Sequence, residues 1–201
     1  MSTSVPDVID LLAGIAPGSR LHAIRAERPQ ARDNAQASFL ALFQPMAAGH
    51  MTLHERYAVA VFVAAVHREQ AVVEFYAAGL AGVSDGPGLT DHLTSEIALA
   101  VSEGPYGTFP AGPLSREDRP GPTFRVREEA RLGLGDRLAA AFEHAHLLVF
   151  HPRDATPEAL QGLLDAGWSS TGIVTLSQLV AFLSFQIRVV AGLRSLAIGG
   201  Q

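Results

Sequence analysis

A chain of 201 residues, 48% of them hydrophobic, can bury a core and is expected to form one domain over residues 1–201. The net charge of −5 is mild and the fifteen basic residues, all arginine, are scattered, so no nucleic-acid partner is predicted. Cysteine and lysine are both absent, which excludes a thiol peroxidase cycle, disulfide exchange, a thiolate metal site and any lysine Schiff base to substrate or pyridoxal phosphate.

The first residues carry no basic segment, and Asp7 and Asp10 interrupt what would be the apolar part of a signal peptide, so the expected location is cytoplasmic. Pro6 to about Ala13 reads as a short helix with Ser4 as N-cap, ended by Pro17 and Gly18. Ser19 to Arg28 predicts a second helix. A third runs from Pro29 to Phe43, with Phe39, Leu42 and Phe43 as an apolar patch, and Pro45 and Gly49 close it.

Thr52 followed by Glu55 is a capping box, so a helix starts there. From Tyr57 to Val66 it is almost continuously apolar, which on a helix means burial on nearly every side. The polar run His67, Arg68, Glu69 and Gln70 then interrupts, before Val72, Val73, Phe75 and Tyr76 resume the apolar pattern. Two helices meeting near His67 are therefore expected. Ser84 to Gly88 (SDGPG) reads as a turn, and Thr90 to Ser102 as a further helix.

Residues 104–123 hold five prolines and show neither helical period nor strand alternation; a loop of this length is expected either to reach a partner subunit or to be mobile. From Arg127 to Phe150 one helix is predicted, with Leu134, Leu138, Phe142 and Ala145 in line. Thr156-Pro157 caps a short helix that ends at Gly167. The last helix runs from Ser169 or Ser170 to about Leu196, its stripe formed by Ile173, Leu176, Val180, Leu183, Ile187 and Val190. Its apolar part, Gly172 to Ile187, is short of the roughly 20 residues of a bilayer span and carries five polar residues, so no membrane role is expected. With no strand signals, the fold class is all-α, a bundle of about seven or eight helices.

The layout of Glu55-Arg56, the apolar helix from Ala58 and His67 resembles the signature of the alkylhydroperoxidase D-like and carboxymuconolactone decarboxylase-like superfamily. In that all-helical group an acidic-arginine pair opens a helix leading to an asparagine, a Cys-x-x-Cys and a histidine. Here His67 stands at the asparagine, Glu69 and Val72 at the two cysteines, Tyr76 at the histidine and Tyr57 at a relay glutamate. Asp165 to Leu193 is similar to the helix of the peroxidase-related branch that ends in an Asn-Arg pair, here Gln186-Ile187-Arg188. The resemblance covers residues 49–83 and 137–193. It implies the superfamily's AhpD-like helical bundle and a homo-oligomer, whether dimer, trimer or hexamer, but not peroxidase activity.

Glu69 and Tyr76, seven residues apart, share a helix face with Val72 and Val73. Two readings stand side by side: an acid–base pair in a groove, or an ion-paired carboxylate beside a core tyrosine. His67 and Tyr57 complete the expected catalytic set. Arg188, with Gln186 and Glu74, forms the expected substrate-binding set; its partner is a substrate carboxylate, Glu69 or Glu74, or solvent. His144 and His146 face opposite ways on a helix and cannot chelate one ion, and His144 with His151 makes a weak pair, so neither metal nor cofactor is expected. The functional expectation is acid–base chemistry on a small carboxylated or lactone substrate; the alternative is a non-catalytic oligomer binding a small molecule or a partner.

Overall fold

The computed structural model describes residues 6–83 and 89–199. Among these residues it is all-helical: α1 (Val8–Ala13), α2 (Arg20–Ala26), α3 (Pro29–Phe43), α4 (Leu53–Val66), α5 (Gln70–Ala81), α6 (Leu89–Ala100), α7 (Glu128–Leu134), α8 (Asp136–Phe150), α9 (Pro157–Asp165) and α10 (Ser170–Ile198), with short 3₁₀ turns at Pro113–Glu117 and Pro152–Asp154. Ten α-helices thus stand where seven or eight were expected.

Taken segment by segment the expected elements already number nine, and the tenth comes from a break that periodicity does not reveal. The helix expected over Arg127–Phe150 is two, because Gly135 takes φ +79° and turns the chain between α7 and α8. At the N-terminus Asp7, not Ser4, caps α1, its carboxylate accepting from the backbone N–H groups of Ile9 and Asp10. Ser4 lies outside the described residues, as does the turn expected at Ser84–Gly88. Gly14, left-handed at φ +68°, ends α1 before Pro17 is reached. Asp7 and Asp10 bind Arg25 of α2 and Arg32 of α3, so the carboxylates that argued against a signal peptide fasten the first three helices together.

The centre is α4. Ala58, Val59, Ala60, Phe62, Val63 and Ala64 are fully buried, with α5, α10, α8 and α6 packed around them. The short alanines let these neighbours approach closely, while Phe62 stacks on Phe142 of α8 at 4.8 Å between ring centroids. The chain covers α4 without help, so this helix supplies no argument for a partner subunit.

The second central element, α10, is 29 residues, about 43 Å at 1.5 Å per residue. It is longer than expected and is the one described helix long and apolar enough to cross a bilayer by length and composition. Half of its most apolar window is buried inside the protein, against α1, α3, α4 and α8. The expected stripe, Ile173 through Val190, is the buried face throughout.

Residues 104–123 fold back onto this chain itself. Gly107 and Arg119 exchange backbone hydrogen bonds of 2.8 and 3.1 Å, folding the segment back on itself. Tyr106 N–H donates to the carbonyl of Phe150, Thr108 N–H to Asp154, and Arg153 lies 4.0 Å over the Phe109 ring. The prolines and glycines that hide any period build a strap clamped over the end of α8.

Candidate functional site

The joint between α4 and α5 is a Schellman motif. His67 is the C-cap, Arg68 takes the left-handed conformation at φ +61°, and the N–H groups of Arg68 and Glu69 return to the carbonyls of Ala65 and Ala64. This turn sends the expected catalytic side chains apart. His67 places Nε2 3.4 Å from Ser184 Oγ on α10, and burial, then the nearby Arg188 charge, hold its pKa below the usual value. Glu69 lies 3.9 Å from Arg194, a pair on the partly exposed rim. Glu74 is exposed and accepts from Gln70 one turn back.

Tyr76 points the other way, into the core. It is fully buried and donates to Gln186 Oε1 at 2.7 Å, and Gln186 is fully buried as well. Burial drives the Tyr76 phenol far above its ordinary pKa, only partly opposed by the Gln186 bond. Gln186 Nε2 has no hydrogen-bond partner among the described residues. Tyr57, half-buried, packs at 5.0 Å on Phe43 and 6.5 Å from Tyr76, and burial raises its pKa too. Arg188 is exposed and makes no ion pair or hydrogen bond among the described residues, so the expected pairing with Glu69 or Glu74 does not form. The reason is phase: on α10 it is Arg194 that comes round to Glu69, whereas Arg188 falls on the outward stripe.

The acidic-arginine pair at the head of α4 is architectural. Glu55 completes the capping box on Thr52 and receives Arg137 Nε at 2.5 Å. Arg137 also donates to the carbonyls of His50 and Gly167 and lies 4.0 Å over the Trp168 ring. Arg56, 5% exposed, donates to four carbonyls, those of Ala41, Leu42, Ala48 and Met51, at 2.7–3.3 Å. It caps the C-terminus of α3, where free carbonyls and the helix dipole favour a cation.

A cavity of about 450 Å³ lies between α7, α8, α9 and residues 123–125. Its wall includes Arg131, Glu143, His144, His146, His151 and Asp154. Most of the wall's charges are paired: Glu143 accepts from Arg131 and from Arg125, and Asp154 Oδ2 lies 2.9 Å from His151 Nδ1, while Glu158 is exposed and makes no ion pair among the described residues. The His151 bond is the main reason the Asp154 carboxyl titrates below the usual range. His146 places Nε2 3.1 Å from the carbonyl of Ala100, and burial lowers its pKa to about 4 despite that bond. His144 is buried on the opposite side of α8, Nε2 3.4 Å from Ser177 Oγ, and burial lowers its pKa as well. Its Nδ1 is buried without a hydrogen-bond partner among the described residues.

Two buried imidazoles held neutral at the border of one cavity can each offer a hydrogen-bonding ring nitrogen near pH 7. Among the described residues no group of three or more histidine or acidic side chains is placed to hold a metal ion. The expectation that His144 and His146 diverge holds: one reaches α10 and the other the end of α6. What the sequence concealed is α9 closing over α8, which brings both to the border of one space. The seven-residue spacing of His144 and His151 was the available signal. Comparison with known proteins returns no match, whether to a family model, a curated sequence or a solved structure.

Proposed function

We propose that the protein is a cysteine-free relative of the alkylhydroperoxidase D-like and carboxymuconolactone decarboxylase-like superfamily that serves as a small-molecule-binding homo-oligomer. The all-helical architecture and the capped Glu55-Arg56 helix opening support the kinship. The ligand sits in the cavity beneath α8 and α9, and the observation that carries this reading is His144, which lines it and whose buried Nδ1 has no hydrogen-bond partner among the described residues. A buried polar atom without a partner costs about 1–3 kcal/mol, which a ligand hydroxyl or amine reaching it, with a slight turn of the ring, would offset. Because the wall's arginine Arg131 is already paired and the remaining charge, the exposed Glu158, is itself a carboxylate, an anion is disfavoured there and the ligand is uncharged, with one or two polar groups on an apolar body: a phenol, a lactone or a small alcohol.

A second reading, cofactor-free acid–base chemistry on a lactone or small carboxylated substrate, draws on the same place, since the neutral imidazoles of His144 and His146 line it. The side chains of Glu69, Tyr76 and Arg188 give it no shared cavity at the α4–α5 joint.

The test is thermal unfolding with phenol, δ-valerolactone and benzoate as probes. At tenfold over its Kd, phenol or the lactone should raise Tm by roughly 3–6 °C, and His144→Phe should abolish the rise. Benzoate should do neither. No shift with any probe, together with unchanged His144 ring signals in NMR, would refute ligand binding. Lactone turnover lost in both His144→Phe and His146→Phe would establish the second reading.

A further inference from the structure

Between residues 171 and 195, the exposed positions of α10 are Thr171, Val174, Gln178, Ala181, Phe185, Arg188, Gly192 and Ser195, and all other residues there are buried or half-buried. Their spacing alternates three and four without interruption. That 3.5-residue repeat marks the seam of a coiled coil, not the 3.6-residue drift of a free helix surface. The seam holds one charge in eight positions, and Val174 and Phe185 stand 57% and 46% exposed. It is about 36 Å long at 1.5 Å per residue. Along its first half it forms one wall of a groove of about 610 Å³, whose other wall is the end of α3 and residues 45–50.

We propose that this seam is a homodimer interface in which α10 packs antiparallel on α10 of a second copy, about a twofold axis between Ala181 and Phe185. The order of residues argues for that occupant. With the axis there, every position meets a complementary one: Phe185 against Ala181, Val174 against Gly192, Gln178 against Arg188 and Thr171 against Ser195. Each large side chain falls on a small one and each polar side chain on a polar one. The pairing also places the first position of every heptad against the fourth of its partner, as antiparallel coiled coils require. A twofold axis makes such contacts twice over. The parallel alternative would set Phe185 on Phe185 and bring the two Arg188 guanidinium groups together, a like-charge contact. In the antiparallel pair, Arg188, which has no partner within the described chain, donates to the Gln178 amide of the second copy. The other end of the second copy's helix, with the exposed Leu196 and Ile198, then runs toward the groove beside Thr171.

The absence of cysteine makes the geometry directly testable by cross-linking. Val174→Cys falls on an exposed position, and Gly192→Cys adds a Cβ that meets nothing within 4 Å, so both variants should fold. A mixture of the two variants should form a disulfide-linked dimer under mild oxidation. Neither variant alone should do so, because two copies both carrying Val174→Cys hold their thiols about 27 Å apart along the seam. Sedimentation should show a wild-type dimer at micromolar concentration, weakened at least about tenfold in Phe185→Glu. Self-cross-linking of Val174→Cys would overturn the antiparallel register. A wild-type monomer, or one that co-sediments with lipid vesicles through α10, would overturn the interface itself.

Discussion

Arg56→Met should destabilise the protein by about 3–5 kcal/mol, and the figure follows from what its guanidinium holds. The side chain is almost wholly buried and binds four backbone carbonyls, the closest being Leu42 at 2.7 Å and Ala48 at 2.8 Å. Burial lowers its pKa, opposed only by the Glu55 charge, but arginine stays charged at any accessible pH. Methionine keeps much of the aliphatic stem and leaves no stranded charge, so packing changes little. What is lost is the set of charge-assisted bonds, about 1.5–3 kcal/mol each, less the solvation the cation no longer forfeits. Two bonds' worth is a reasonable net, against a total stability of about 5–15 kcal/mol. In urea, with a slope near 2 kcal/mol/M, the midpoint should fall by about 2 M at constant slope. Arg56→Lys keeps the charge but not the planar fork and should recover less than half of the loss. A loss under about 1 kcal/mol for Arg56→Met would refute the reasoning, because water would then cap the end of α3 as well as Arg56 does.

Arg68→Gly should stabilise by about 1 kcal/mol in urea unfolding, since the residue sits at φ +61° where a side chain is strained; a loss would mean that Arg68 makes a contact worth more than the strain. Tyr76→Phe should cost about 1–3 kcal/mol by stripping the last partner from the Gln186 side chain, while Tyr76→Phe with Gln186→Leu should recover most of it; an equal or larger loss in the double variant would contradict this. Gly79→Ala should cost about 1–3 kcal/mol because the new Cβ meets the Tyr57 ring at 2.1 Å, and a neutral result would show that ring free to move. Stability should fall as pH drops from about 6.5 toward 4. His146 is depressed to about 4 in the folded state, so its contribution is complete above the unfolded pKa and is lost as the unfolded chain alone takes the proton. His144 and His67 act in the same direction, and His146 alone accounts for about 3 kcal/mol; unfolding free energies that stay flat over this range would refute the assignment.

Much of the fold was legible because α4 and α10 advertise themselves: one by a capping box and an unbroken apolar run, the other by a stripe from Ile173 to Val190 that is the buried face throughout. The breaks were harder to see. Gly135 sits inside a continuous helical period, and only its left-handed backbone, set by α7 turning onto α8, ends the helix. The site was read less well for a related reason. Glu69 and Tyr76 do lie on one face of α5 by spacing, but Glu69 is the residue just before the helix and its side chain leaves along the turn toward Arg194. For Arg188 the sequence left a substrate, a carboxylate and solvent all open, and it falls on the outward side with Phe185 and Val174, which are themselves exposed. The histidine cavity depends on how α9 folds over α8, and no local pattern in either helix encodes that closure.

The chain contains a single tryptophan, and its setting makes the protein its own optical gauge. Trp168 is 2% exposed, donates Nε1–H to the carbonyl of Arg137 at 2.8 Å and has the Arg137 guanidinium over its ring. The same guanidinium holds Glu55 at the head of α4 and the carbonyls of His50 and Gly167. Emission from one indole therefore reports on the heads of α4, α8 and α10 together. An indole shut away from water emits at short wavelength, and release of Arg137 that admits water should shift it red. Comparing that signal with far-ultraviolet dichroism along one denaturant series would tell whether the centre and the N-terminal helices part as one unit or as two.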